Sequence, residues 1–169
     1  IYNIKEKKLN TLLVGRLEED NGAKIYLGAL SKLKEQGIAY NLTVCGDGKF
    51  RREFEGYGSV KGFVPSLNKY IDRADFIFAS SYLSILEALF RGKKVFSVFQ
   101  NELKEDYLNL SPISKFISIA SDADFLTEQI LFAIKNPDIT YSKTNLGQRW
   151  AARQTWGNVA NIYLKLWKS

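Results

Sequence analysis

Six short runs of aliphatic, β-branched and aromatic residues recur along this chain, each followed by a helical pattern. That alternation restricts the fold more than any other feature. The runs are 10–15 (NTLLVG), 40–45 (YNLTVC), 59–63 (SVKGF), 75–79 (DFIFA), 94–99 (KVFSVF) and 116–120 (FISIA). Several are almost continuously apolar, as strands buried on both faces are. Their starts lie ~15–30 residues apart, the spacing of βαβ crossovers.

Helical patterns fill the intervals. Asp20 or Asn21 is placed to cap a helix in which Ala23, Tyr26, Leu27, Leu30 and Leu33 share one face, ended by Gly37. A charged segment over 49–57, a brief helix over 67–73 begun by Pro65-Ser66, and an apolar helix over 82–91 follow, the last reached from β-run 75–79 through Ser80 and Ser81. Beyond the fifth run, 101–110 reads as a helix broken by Pro112. A further helix contains Phe125, Leu126, Ile130, Ala133 and Ile134, is capped by Asp122 or Asp124, and stops at Asn136-Pro137. Two tail helices, 142–153 and 156–167, complete the chain. The fold class expected is α/β: a Rossmann-like, doubly wound parallel sheet of six strands, with helices on both faces, extra C-terminal helices, and one domain over 1–169. In sheets wound this way ligands bind beyond the carboxyl ends of the strands, at the switch point. The loops after Gly15, Gly46, Phe63, Ala79 and Phe99 are therefore where a site belongs.

Composition removes several function classes. With no His and a single Cys45, the usual zinc sites and every His-based triad are excluded. One cysteine also rules out an internal disulfide framework and suits a reducing, cytoplasmic setting. No apolar run approaches the ~18–20 residues of a membrane span. The opening IYNIKEKKLN lacks the apolar core and cleavage site of a signal peptide, and the absence of Met fits a segment of a longer polypeptide. The net charge of +6 favours anionic partners. Its carriers (among them Lys7, Lys8, Lys32, Arg51, Lys61, Lys69, Arg91 and Lys94) are too dispersed for a nucleic-acid footprint, so no nucleic acid is expected. Two readings of this charge remain: a solvated basic surface, or a patch that lies on an anionic membrane.

The loops carry the chemistry. The first, Gly15-Arg16-Leu17-Glu18-Glu19-Asp20-Asn21-Gly22, is not GxGxxG, so a nicotinamide or flavin site has no support. Arg16 stands at the mouth of the sheet, where a guanidinium can grip a diphosphate through two oxygens. An ordinary surface ion pair to Glu18 or Glu19 is the competing reading. Gly46-Asp47-Gly48 lets backbone amides approach a ligand closely. Ser80 and Ser81 are helix-cap residues, and the amides of Tyr82, Leu83 and Ser84 beyond them form a possible anion site. Glu87, inside an apolar helix and one turn from Leu83 and Ser84, can accept two sugar hydroxyls or pair with Arg91 at i,i+4. Arg16, Gly46 and Glu87 lie on different crossovers, and the fold converges them at one edge.

Taken in order, these elements resemble the C-terminal, nucleotide-sugar-binding half of a GT-B glycosyltransferase of the family 4 type. The matching pieces are VGRL (Val14, Gly15, Arg16, Leu17), Asn21-Gly22, VCGDG (44–48), VKGFVP (60–65), Ala74-Asp75, ILEAL (85–89), GKKVFSV (92–98) and TWGNVANIYLKLW (155–167). The resemblance implies a retaining hexosyl transfer from a nucleotide-sugar donor to a glycan or lipid acceptor, with no metal or other cofactor. It implies that Arg16 holds the donor diphosphate beside Gly15 and Gly46, and that Phe63 and Val64 border the base. The backbone at Tyr82, Leu83 and Ser84 would face phosphates or sugar, and Glu87 the ribose hydroxyls. An N-terminal acceptor domain of the same enzyme would be the partner of the last helix, and the site of action cytoplasmic, peripheral at the inner membrane face. The isolated domain would bind donor and transfer nothing. Two positions depart from the family pattern. Ala79 stands where the first of two paired acids belongs, so no catalytic residue is assigned. Asn21 replaces the loop lysine, with Lys24 one turn along as its substitute. The alternative these departures raise is a non-catalytic domain that keeps the fold as a scaffold or subunit.

Overall fold

A computed structural model describes residues 8–168. The reading of the N-terminal stretch, Lys7 included, falls largely outside the described residues. The six strands are β1 (Leu9–Val14), β2 (Tyr40–Cys45), β3 (Gly58–Val60), β4 (Phe76–Ala79), β5 (Lys94–Val98) and β6 (Ser118–Ala120). They form one parallel sheet in the order β3-β2-β1-β4-β5-β6. Strand order reverses between β1 and β4, which sit side by side with Leu13 opposite Phe78. This is the doubly wound, Rossmann-like sheet that the alternation predicts.

The helices are α1 (Ala23–Glu35), α2 (Arg51–Glu55), α3 (Asn68–Arg73), α4 (Tyr82–Phe90), α5 (Glu102–Asn109), α6 (Ala123–Lys135), α7 (Pro137–Ala151) and α8 (Trp156–Trp167). Because successive strand side chains point to opposite faces, the central strands split their residues between two cores. Leu13, Phe76, Phe78, Phe96 and Val98 pack with α1, α2 and α6. Leu12, Val14, Ile77, Ala79 and Val95 pack with α3, α4, α5 and α7. On the first face Phe76 meets Phe96 edge-on at 5.2 Å, and Tyr26 lies 5.4 Å from Phe78. Helices therefore cover both faces, while α8 has no buried residue.

Several local details differ from the sequence expectations. Neither Asp20 nor Asn21 caps α1: both lie in a 3-10 turn, and Gly22, in the left-handed region, takes the cap position. β3 stops at Val60, because Gly62 turns the chain (φ 68°) and its backbone bridges antiparallel to Gly46. β6 begins at Ser118 and not at Phe116, which closes a 3-10 turn started by Pro112. α7 begins at Pro137, five residues before the expected 142, since proline is well suited to the first helical position. Of the two candidate caps of α6, Asp122 accepts from the Phe125 amide at 2.8 Å.

Candidate functional site

At the switch point the loops after β1 and β2 are laced together. The Gly15 amide donates to the Cys45 carbonyl at 3.2 Å, the Leu17 amide to Asp47 at 2.8 Å, and the Phe50 amide back to Leu17 at 3.0 Å. The approach is so close that a Cβ on Gly46 would lie 1.8 Å from the Gly15 carbonyl oxygen. Gly15 itself has φ 148°, which side chains rarely adopt. Two glycines thus let two strand ends meet at the mouth of the sheet.

Beyond that contact lies a cleft of about 430 Å³, lined by Gly15, Arg16, Gly46, Phe63, Val64, Ser80 and Ser81 above a floor that includes Tyr26 and Cys45. Its walls are the carboxyl ends of β1, β2 and β4. A second hollow of about 770 Å³ lies at the opposite edge, against Lys94, Asp75 and Thr144. Lys8, Lys93 and Lys94 line it, together with Pro137 and Asp138 at the start of α7. The smaller cleft is the one at the switch point, beyond the carboxyl ends of the strands, where sheets wound this way bind their ligands.

Arg16 is solvent-exposed, and its guanidinium pairs with Asp20 at 2.7 Å rather than with Glu18 or Glu19. The Asn21 side chain donates to the Arg16 carbonyl at 3.3 Å, closing the loop on itself. Lys24 lines no part of the cleft and pairs with Glu19 at 2.6 Å. That ammonium holds the Glu19 carboxyl below its ordinary range. Phe63 stands on the rim, 80% exposed, with half-buried Val64 beside it.

The β4–α4 turn departs from the capping expectation. Ser80 is buried: its hydroxyl lies 2.8 Å from the Tyr26 hydroxyl and accepts from the Val98 amide at 3.3 Å. Burial also pushes the Tyr26 hydroxyl well above its ordinary pKa, so it stays a neutral hydrogen-bonding group. Ser81 takes the cap position, yet its hydroxyl bonds Ser84 Oγ at 2.8 Å and caps no amide. The amides that open α4, those of Tyr82, Leu83 and Ser84, thus have no side-chain cap. These three residues and Glu87 do not line the cleft. Glu87 is half-buried one turn further on, and among the described residues its carboxylate makes no ion pair or hydrogen bond. Arg91 turns instead to Asp72 at 2.5 Å. Ala79 is 1% exposed and faces the core under α4 with Ile85 and Ala88.

The structure therefore brings together Gly15, Arg16, Gly46, Phe63 and Val64, places the start of α4 next to them through Ser81, and leaves Lys24 outside. Three participants were not singled out in the sequence. Tyr26 read as one more apolar-face residue. Asp20 read as a cap. Lys104 sits in a charged helix whose composition looks merely solvated, and its ammonium donates to the Ser80 carbonyl. Among the described residues no group of three His, Cys, Asp or Glu side chains is placed to hold a metal ion, and no helix is long and apolar enough to cross a membrane.

No family model matches this chain, and no curated protein matches it in sequence. Its fold, however, is found among solved structures. HepE from Anabaena, crystallised in complex with UDP, superposes with a TM-score of 0.74 at 16% identity, covering 98% of this chain and 50% of HepE. The C-terminal domain of a group 1 family glycosyl transferase (LpcC) from Francisella tularensis superposes at 0.67 with 15% identity, over 86% of this chain and 85% of that domain. The catalytic domain of the cholesterol-alpha-glucosyltransferase from Helicobacter pylori gives 0.67 at 16% identity, over 88% and 100%. At such identities the likeness is one of fold. The chain spans about half the length of HepE.

Proposed function

We propose that this chain is the nucleotide-sugar-binding half of a GT-B glycosyltransferase of the family 4 type, a retaining enzyme that passes a hexosyl group to a glycan or lipid acceptor. The observation that carries the reading is the cleft at the switch point, where two glycine loops and Arg16 border the β4–α4 turn. Support comes from HepE, which was crystallised with UDP and matches nearly the whole chain.

In this reading the diphosphate lies over the uncapped amides of α4, with Arg16 released from Asp20 to hold it. Charge that develops on the departing diphosphate is met by fixed donors, the arrangement that stabilises a transition state most effectively. No metal is assigned a role. Phe63 and Val64 border the base, and Glu87 accepts the ribose hydroxyls. The partner of α8 is an acceptor-binding domain of the same enzyme. Trp156 (85% exposed), Val159, Tyr163 and Trp167 present an apolar face that a second domain would bury. The enzyme acts at the cytoplasmic face of a membrane, where the surplus of basic residues meets anionic lipid.

Calorimetry with UDP, GDP and their sugars tests the reading. Binding by the wild-type chain is expected, weakened about tenfold by Arg16→Ala, the loss of roughly 1.4 kcal/mol. Glu87→Gln is expected to cost several-fold. A wild-type chain that binds none of these ligands, or variants that bind as it does, would sink the reading. A second reading, a domain that keeps the fold without catalysis, is favoured by one observation: the position of the missing acid is filled by core-packed Ala79. Sugar transfer by the full-length polypeptide would eliminate it.

A further inference from the structure

The cleft has a charge problem. Among the described residues Arg16 is the one cation that lines it, and Asp20 pairs with it at 2.7 Å. Lys24 is held by Glu19 outside the cleft. A nucleoside diphosphate carries more than one negative charge, and a second cation would offset more of it than Arg16 and the α4 amides do alone.

The β5–α5 loop brings one. Asn101 caps α5 by accepting the Lys104 amide at 2.9 Å, which fixes the start of that helix at the carboxyl edge of the sheet. From there the Lys104 side chain reaches back to the β4–α4 turn and donates to the carbonyl of Ser80, a residue of the cleft wall, so that Lys104 stands behind that wall and does not itself line the cleft. The Tyr107 ring lies 4.6 Å from the ammonium and holds its other side. Among the described residues no carboxylate lies within ion-pair distance of Lys104. An ammonium has three protons to donate, and one carbonyl leaves two of them available. Both Arg16 and Asp20 are close enough to act on its charge, and partial burial is the main influence that lowers its pKa.

Sheet order supplies the rest. β4 lies between β1 and β5, so the loop after β1 carries Arg16 to one side of the β4–α4 turn, and the loop after β5 carries Lys104 to the other. An anion seated on that turn would be held from both sides. We propose that Lys104 is the second cation of the cleft and holds the phosphates of a nucleoside diphosphate opposite Arg16. The inference rests on reading the cleft as a nucleotide-sugar site.

The test is calorimetry of the chain with UDP and GDP, for wild type, Lys104→Met, Lys104→Gln and Lys104→Arg, at two salt concentrations. Lys104→Met is expected to weaken binding about tenfold, and the salt dependence of Kd is expected to flatten as one ionic contact disappears. Lys104→Gln keeps a donor for the Ser80 carbonyl but no charge, and is expected to bind as weakly as Lys104→Met. Lys104→Arg is expected to stay within about threefold of wild type. Wild-type affinity in Lys104→Met overturns the proposal. So does recovery in Lys104→Gln, which would mark the lysine as a prop for the turn. Should Lys104→Met not fold, the Gln variant decides alone. A wild-type chain that binds neither nucleotide defeats the functional reading itself, a result distinct from any of these.

Discussion

Gly46→Ala is expected to remove on the order of 3 kcal/mol of folding stability and to abolish UDP binding. The added Cβ would lie 1.8 Å from the Gly15 carbonyl oxygen and 2.8 Å from its carbon. Both are backbone atoms, so no flexible side chain can move aside. Relief requires the loops after β1 and β2 to separate. That separation breaks the hydrogen bond from the Gly15 amide to the Cys45 carbonyl and carries Arg16 with it. Gly37→Ala is the control. Gly37 has a positive φ, 74°, which Gly46 does not, and its Cβ would meet nothing within 4 Å. It should cost only about 1 kcal/mol of backbone strain and leave binding intact. Urea denaturation and UDP calorimetry of both variants check the pair. Equal stability losses, or wild-type affinity in Gly46→Ala, would mean that the close approach is not what shapes the cleft.

The second large effect concerns Lys94, at the amino end of β5 and 7% exposed. Its ammonium donates to Ser118 Oγ at 2.7 Å and lies 5.0 Å from the Phe96 ring. Burial, and after it the nearby Lys143 charge, push its pKa down to about 7. The consequence for stability has a definite sign. Below about pH 7 Lys94 is protonated in the folded and unfolded chain alike, and the folded state carries the full cost of burying the charge. Between about 7 and 10 the unfolded chain holds a proton that the folded chain has released, so stability rises with pH. Above the ordinary lysine range the cost is gone. Lys94→Met is therefore expected to be more stable than wild type at pH 6 by on the order of 3 kcal/mol, less about 1 kcal/mol for leaving Ser118 unpaired. The advantage should shrink steadily toward pH 10. Because buried Tyr26 and half-buried Tyr40, whose pKa values are raised, act in the opposite direction at high pH, the difference between variants is the quantity to follow. Urea midpoints at pH 6, 8 and 10 provide it. A difference that stays flat across this range would overturn the assignment.

The site is half legible in the primary structure. Gly15, Arg16 and Gly46 are legible because they stand at the carboxyl ends of β1 and β2, the edge where this winding brings loops together, although each residue taken alone also suits an ordinary turn or a surface ion pair. Phe63 and Val64 follow a strand and point to the same edge. Lys24 is misplaced by sequence distance alone: it is one turn from the loop, yet the helix directs it outward to Glu19. Ser80 shows the opposite error. Its residue type signals a helix cap, but the strand delivers it one position early, and its hydroxyl turns into the core toward Tyr26. Lys104 could not be found from its surroundings in ELKEDY, because its partner, the Ser80 carbonyl, lies 24 residues away.

What this chain determines through local sequence is the parallel sheet, its two-sided burial and the edge that can bind. These follow from periodicity: apolar runs too continuous to face water, separated by amphipathic helices whose one apolar stripe needs the sheet to cover it. Tertiary structure decided which charges are available at that edge. Arg16 is matched by Asp20, Lys24 by Glu19, and Lys104 is set beside the β4–α4 turn, because pairing at a few ångströms depends on which loops the strand order makes neighbours. The order β1-β4-β5 is a property of the whole winding, and no short window of residues encodes it.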